Sequence, residues 1–202
     1  MKKVLLFAMA FVVLSFTTSD SGVSKKERKS AAKFLKETES GVLDAVKGLS
    51  TAQLQFKPSP DKWSVEECMK HIAMSEMAIW DMTKAAIAGP ATPEKRSQIK
   101  MTDDDVKVKI EDRSSKIKTS SPLEPQNTPF KSMDEAVNSF KENRAKLVDY
   151  IKSTDADLRN HVTNLPFGSL DCYQMVLFIG AHSARHMKQM EEVKADPNFP
   201  KQ

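Results

Sequence analysis

Glycine supplies only 6 of the 202 residues, cysteine 2 and tryptophan 2, and aromatic side chains make up 7%. No glycine-rich loop able to cradle a phosphate is present, and no G-x-S-x-G nucleophile elbow. The cysteines, Cys68 and Cys172, form no C-x-x-C pair, and no H-E-x-x-H zinc motif occurs. Val and Ile do not fall into alternating runs, so nothing in the pattern asks for a sheet. Charge of one sign is not in excess: 31 Lys and Arg stand against 27 Asp and Glu, for a net charge of +4. That surplus is spread along the chain and includes Lys2 and Lys3, so it gives no basic face for nucleic acid. The apolar run Val4–Phe16, interrupted by Ser15, falls short of the roughly 20 residues that span a bilayer.

What remains is helix-forming material for one domain. Residues are 40% hydrophobic, enough for a single core at this length. Lys, Glu, Ala, Met and Leu dominate the periodic segments, and the 11 Met read as bundle filler. Residues 1–20 read as an export signal: Lys2 and Lys3, the apolar run, then Ser and Thr. No A-x-A triplet marks a cleavage point, which leaves an uncleaved N-terminal anchor as the alternative. No Cys follows to carry a lipid. The expected location is therefore periplasmic or extracellular, with residues 21–202 as the mature domain. In an oxidising compartment Cys68 and Cys172 could pair, although buried helical Cys are more often small apolar fillers.

Four long helical segments stand out. The first runs from about 23 to 49, with Ala31, Phe34, Leu35, Val42, Leu43, Val46 and Leu49 on its apolar face. A loop over 51–62 follows, broken by Pro58 and Pro60. The second runs from Ser64 to Ala88, opened by a Ser64–Glu67 capping box and stopped at Gly89-Pro90. Its stripe is Val65, Cys68, Ile72, Ser75, Ile79, Met82 and Ala86, flanked by His71. Residues 89–131 form a long connection with a short helix over about 103–118, long enough to cross a bundle and join parallel helices. The third helix starts at Ser132, with Glu135 completing a second capping box, and buries Met133, Val137, Phe140, Leu147 and Ile151. The fourth starts after Gly168-Ser169 and runs to about Ala195.

The fourth helix carries the strongest chemical signal. Its core stripe is Met175, Ile179, His182, His186, Gln189 and Val193. Residues four apart share a helix face, so His182 and His186 can address one point. With His71 they would make a three-nitrogen site with coordination positions left open, the catalytic pattern for zinc. Imidazole also suits nickel, iron and copper, so the donors do not choose the metal. The competing reading is three buried histidines satisfied by their neighbours. His161, in a loop near Pro166 and Gly168, reads as a surface or packing residue. Arg185 could hold an anionic substrate or simply pair across helices. Glu76 and Gln189 could each partner an imidazole N–H or a bound water, or be ordinary polar residues of their helices.

The segment Lys62-Trp63-Ser64-Val65-Glu66-Glu67-Cys68-Met69-Lys70-His71-Ile72 resembles the opening of the second helix of DinB/YfiT-like proteins. Phe167-Gly168-Ser169-Leu170, followed by Gly180-Ala181-His182-Ser183-Ala184-Arg185-His186-Met187-Lys188-Gln189-Met190, resembles their fourth. The likeness covers about residues 24–200 and rests on W-S-x-x-E-x-x-x-H combined with H-x-x-R-H-x-x-Q. It implies an all-α four-helix bundle with an up-down-down-up course and a long crossover between the second and third helices. In that course Cys68 and Cys172 lie toward opposite ends. It also implies a divalent metal on His71, His182 and His186, with zinc or nickel first and iron allowed. Members include thiol-dependent transferases and isomerases that use a low-molecular-weight thiol, and they are often homodimers. The expectation is an exported metal-dependent hydrolase or thiol transferase of a small molecule, without nucleic acid as a partner and with no stable membrane span after processing. The alternative is a non-catalytic metal-binding or interaction module of the cell envelope.

Overall fold

The computed structural model describes residues 22–201. Residues 1–20, the expected export signal, lie outside them. The chain opens with α1, Lys25–Val46, capped by Ser24 with Glu27 closing a full capping box. It stops short of the expected residue 49: Lys47 already leaves the helix with φ −65° and ψ 128°, and Gly48 follows at a left-handed φ of 72° that turns the chain. The expected loop then contains a five-residue helix, α2, Thr51–Gln55, with its own Ser50–Gln53 box. α3 is Val65–Ala88, capped by Ser64 and Glu67 as expected.

The long connection holds a 3-10 turn at Pro93–Gln98 and α4, Asp103–Glu111. α4 ends well before 118, because the Asp112 carboxylate accepts from the Ser114 backbone and hydroxyl at 2.8 and 2.7 Å and folds a turn. α5 is Met133–Ser153. Ser132 caps it, but Glu135 reaches the Lys131 N–H instead of the cap residue, so only half of the second capping box forms. An antiparallel hairpin follows, β1, Val162–Leu165, and β2, Gly168–Asp171. It was not expected, and it moves the start of the last helix. Gly168 and Ser169 are strand residues, and α6 is Cys172–Lys194, capped by Asp171.

The four long helices form the bundle. Pairings along them fix their senses. α3 and α6 are antiparallel: His71 lies near His182 and His186, while the Cys172 thiol reaches the Thr83 carbonyl. α1 runs with α6, from the Tyr173 hydroxyl on the Glu27 carbonyl to Gly41 beside Met187. α3 runs with α5, through Glu76–Arg144 and Trp80–Tyr150. The course is up-down-down-up. Gly180 matters to it, because a Cβ there would lie 2.7 Å from the Phe34 ring, so only glycine lets α1 and α6 come this close.

The core falls into two clusters, one around Leu35, Leu147, Met175 and Ile179 and one around Met69, Ile72, Phe140 and Met190. Each fully buried Leu, Ile or Phe contributes about 1.5–3 kcal/mol. On α3 the expected stripe residue Met82 is 43% exposed, and Thr83 is buried in its place. The helical period favours the step of four from Ile79, and the Thr83 hydroxyl is satisfied by the Ile79 carbonyl at 2.7 Å.

Two ion networks pin the helices. Arg144, with its side chain 0% exposed, donates to Glu76 through Nε and Nη2, to the Leu35 carbonyl and Thr38 hydroxyl through Nη1, and to the Ser183 hydroxyl through Nη2. That arginine ties α1, α3, α5 and α6 together. At the N-terminal end of α6, Arg159 bridges Glu27, Asp103 and Asp171, acids in the first turn or cap of α1, α4 and α6. Three helix N-termini are thus gathered by one guanidinium.

Candidate metal centre

The Ser64 cap starts α3 so that His71 falls on its inward face about two turns later. α6 presents His182 and His186 one turn apart, and the antiparallel packing brings the three rings into a triangle. Ring centroids are 5.1 Å apart for His71–His182, 4.5 Å for His71–His186 and 4.6 Å for His182–His186. Their potential ligand atoms all lie within 4.8 Å of one another. Nitrogens about 2.0–2.1 Å from a shared ion sit roughly 3–3.5 Å apart at tetrahedral or octahedral angles. The Nε2 atoms of His71 and His182 already stand 3.3 Å apart.

The outer nitrogens are committed elsewhere. His71 Nδ1 donates to the Leu123 carbonyl at 2.7 Å. A carbonyl can only accept, so the ring proton sits on Nδ1 and Nε2 is bare. His186 Nδ1 meets the Gln189 side-chain oxygen at 2.9 Å. Trp63, the residue before the α3 cap, covers the rings, 4.8 Å from His71 and stacked 5.8 Å from His186. Phe178 meets His182 edge-on at 5.9 Å.

Burial disfavours the charged imidazolium at all three positions. It lowers His71 against the opposing pull of the Leu123 carbonyl. His182 is pushed down to about 3, by burial first and then by His71 and Arg185. His186 lies well below the usual range, by burial and then by the two neighbouring histidines. All three are therefore neutral at pH 7, the form that ligates a metal. Donor type, convergence and protonation fit a divalent cation.

The remaining candidates separate clearly. Gln189 does orient a ring, as expected. Glu76 does not: its carboxylate is engaged by Arg144. Arg185 donates to the carbonyls of Ser115 at 2.9 Å and Ile110 at 3.5 Å, lacing the end of α4 onto α6. His161 is a packing residue, with Nδ1 on the Ala86 carbonyl at 2.9 Å. That contact lies fifteen residues, about 22 Å, along α3 from His71. Both cysteines are free and buried. Cys172 lies beside Thr83, equally far along α3 from Cys68, so no disulfide forms. A surface cavity of about 730 Å³ runs along α1 beside Lys152 and includes none of the histidines.

Three contributors lay outside the sequence reading. Leu123 acts through its backbone, which side-chain identity does not announce. Trp63 stood in the resemblance motif, but nothing in the pattern aimed it at the rings. Arg144 did leave a signal, because it falls on the α5 core stripe between Phe140 and Leu147, where a charge demands a buried partner.

Known proteins agree with this architecture. The family model described as the DinB superfamily matches residues 35–190. The uncharacterized protein YuaE of Bacillus subtilis (strain 168) is 31% identical over 150 residues, covering 74% of this chain and 88% of YuaE. Among solved structures, YfiT from Bacillus subtilis superposes with a TM-score of 0.60 at 15% identity, over 89% of this chain and 92% of that one. YfiT is described as a probable metal-dependent hydrolase with an unusual four-helix bundle topology. At that identity the likeness is one of fold. By the match to the family model and the identity to YuaE, the chain belongs to the DinB superfamily.

Proposed function

We propose that this protein is an exported metal-dependent enzyme, a hydrolase first and a thiol-dependent transferase second, that binds its metal through His71, His182 and His186. The observation that carries the proposal is the convergence of three neutral imidazoles, two of whose outer nitrogens are already committed. When bound, a divalent metal such as zinc or nickel supplies Lewis acidity toward water, a thiol or a carbonyl. Leu123 and Gln189 orient the rings that hold it, and Trp63 and Phe178 shield them from bulk water. The chain brings no thiol nucleophile of its own, since Cys68 is fully buried and burial raises its thiol far above neutrality. A thiol nucleophile would therefore come from solution, where water is the abundant alternative. The description of YfiT as a probable metal-dependent hydrolase supports hydrolysis by analogy of fold. The apolar run Val4–Phe16 supports export.

A second reading, a metal-binding module without catalysis, draws on one observation. Among the described residues the cluster contains no carboxylate, and the nearby Glu76 is held by Arg144 and not free to act as a general base. One experiment separates the readings. Metal content is measured on protein purified without chelator, beside a His182→Ala/His186→Ala variant, and both are assayed on activated esters, phosphoesters and thiol acceptors. About one equivalent of metal that the variant lacks, with metal-dependent turnover, supports the enzyme. Metal without turnover supports the module. A wild type that takes up no metal rules out both.

A further inference from the structure

The cluster is also served by the long connection between α3 and α5, through a residue that touches no histidine. We propose that Arg113 is a positioning residue: acting through the Gln189 amide, it holds the His186 ring as the Nδ1–H tautomer, so that Nε2 faces the cluster as a bare ligand. The proposal rests on the reading of His71, His182 and His186 as ligands.

The argument is one of donors and acceptors. Arg113 lies just beyond α4, in the turn shaped by Asp112 and Ser114 and held against α6 by Arg185. Its Nε and Nη2 fork onto the Glu192 carboxylate, both at 2.7 Å, which fixes the guanidinium against α6. The remaining Nη1 donates to the Gln189 Oε1 at 3.2 Å. Arginine has no acceptor, so the atom of Gln189 that faces it has to be the carbonyl oxygen. The same oxygen lies 2.9 Å from His186 Nδ1. His186 can meet it only as a donor, which puts the ring proton on Nδ1 and leaves Nε2 free.

The other arrangement is close at hand. A glutamine amide turned by 180° places its NH₂ where the oxygen was, with almost no change in shape. Facing that NH₂, His186 Nδ1 would become an acceptor, and the ring proton would pass to Nε2 and block the ligating position. His71 runs no such risk, because its partner is the Leu123 backbone carbonyl, which cannot turn. One ligand is therefore oriented by a group that needs no guard, and one by a group that does. Arg113 is the guard.

Tautomers can be read directly. Long-range ¹H–¹⁵N correlation spectra of metal-free protein separate Nδ1–H from Nε2–H imidazoles, and this chain has 4 histidines to resolve. In the wild type His186 is expected as Nδ1–H. Arg113→Met should populate the Nε2–H form and weaken zinc binding, read by chelator competition, by about tenfold. Adding Gln189→Glu to Arg113→Met supplies an acceptor with no donor face to turn, and should restore both the tautomer and the affinity. A merely structural loss would not be rescued that way. The proposal is overturned if Arg113→Met leaves tautomer and affinity at wild-type values, or if the double variant restores neither. A tautomer that shifts as expected in a protein that never takes up zinc would uphold the role of Arg113 and remove the ligand reading instead.

Discussion

Two clusters of buried polar side chains lie within one helical turn of each other, and they are built on opposite terms. Around Arg144 the five N–H groups of one guanidinium meet acceptors on Glu76, Leu35, Thr38 and Ser183. At the histidines, ring nitrogens face one another. Consecutive residues are divided between the two: Ser75 touches His71 while Glu76 serves Arg144, and His182 joins the triangle while Ser183 serves Arg144. Neighbours on a helix diverge by about 100°, so adjacent positions can belong to different networks. A polar cluster closed on itself holds a fold together. One whose ring nitrogens converge within 4.8 Å of one another could hold an ion.

The comparison breaks most visibly at Arg144. Arg144→Met strands the Glu76 carboxylate in a core where both side chains are at most 1% exposed. The expected loss is about 3–5 kcal/mol in urea denaturation. Arg144→Met/Glu76→Met should recover most of it, because an apolar pair of similar volume often replaces a buried ion pair at little cost. A single variant within about 1 kcal/mol of wild type would mean the cluster is not the clamp described here.

The histidines should answer the other way. His71→Ala or His182→Ala should cost at least about tenfold in metal affinity, since losing even an outer partner costs 10–100-fold, while the fold survives. His161→Ala should leave metal binding unchanged and cost about 1 kcal/mol of stability through the lost bond to the Ala86 carbonyl. Metal loss in His161→Ala, with His71→Ala unaffected, would mean the ligand set is misassigned.

The sequence could be read unevenly across this site. The clustering of the three histidines was legible because helical period and side-chain chemistry coincide at His182 and His186, and because the Ser64–Glu67 cap sets the register of His71. Their supports were less so. Gln189 was within reach, being one turn from His186. Leu123 and Arg113 sit in the connection between α3 and α5, which has no period to place them. The hairpin before α6 was missed for a related reason: four-residue strands are too short for alternation to show, and Gly168-Ser169 read as the break before a helix. Glu76, which could have oriented a ring, serves Arg144 instead, because nothing local tells a carboxylate which buried donor it will meet.

A smaller effect sharpens the contrast at the far end of the bundle. Burial alone would raise the Glu27 carboxyl, but hydrogen bonds from Ser24 and Arg159 outweigh it and take it down to about 2. A folded-state value below the unfolded one, near 4.5, means that this contribution is complete above pH 4.5 and is lost as pH falls toward 2. Glu27→Gln should remove that part of the acid sensitivity. The loss at pH 7 should be about 1 kcal/mol or less, the scale of a partly exposed pair. Denaturation at pH 7 and pH 3 measures it. An unchanged pH slope would show that Asp103 and Asp171 carry the Arg159 network without Glu27.

The smallest change in free energy offers the most direct view of the site. Trp63 lies 4.8 Å from His71 and stacks on His186, while Trp80 packs on Tyr150 in the other core cluster. Metal arriving at the imidazoles should alter Trp63 emission and leave Trp80 emission alone. Titration with zinc should therefore give a fluorescence change that Trp63→Phe abolishes and Trp80→Phe keeps. Phenylalanine still covers the rings, so affinity should shift by little. The reverse pattern, a signal lost with Trp80 and kept with Trp63, would place the bound ion away from the histidines and dissolve the distinction between the two clusters.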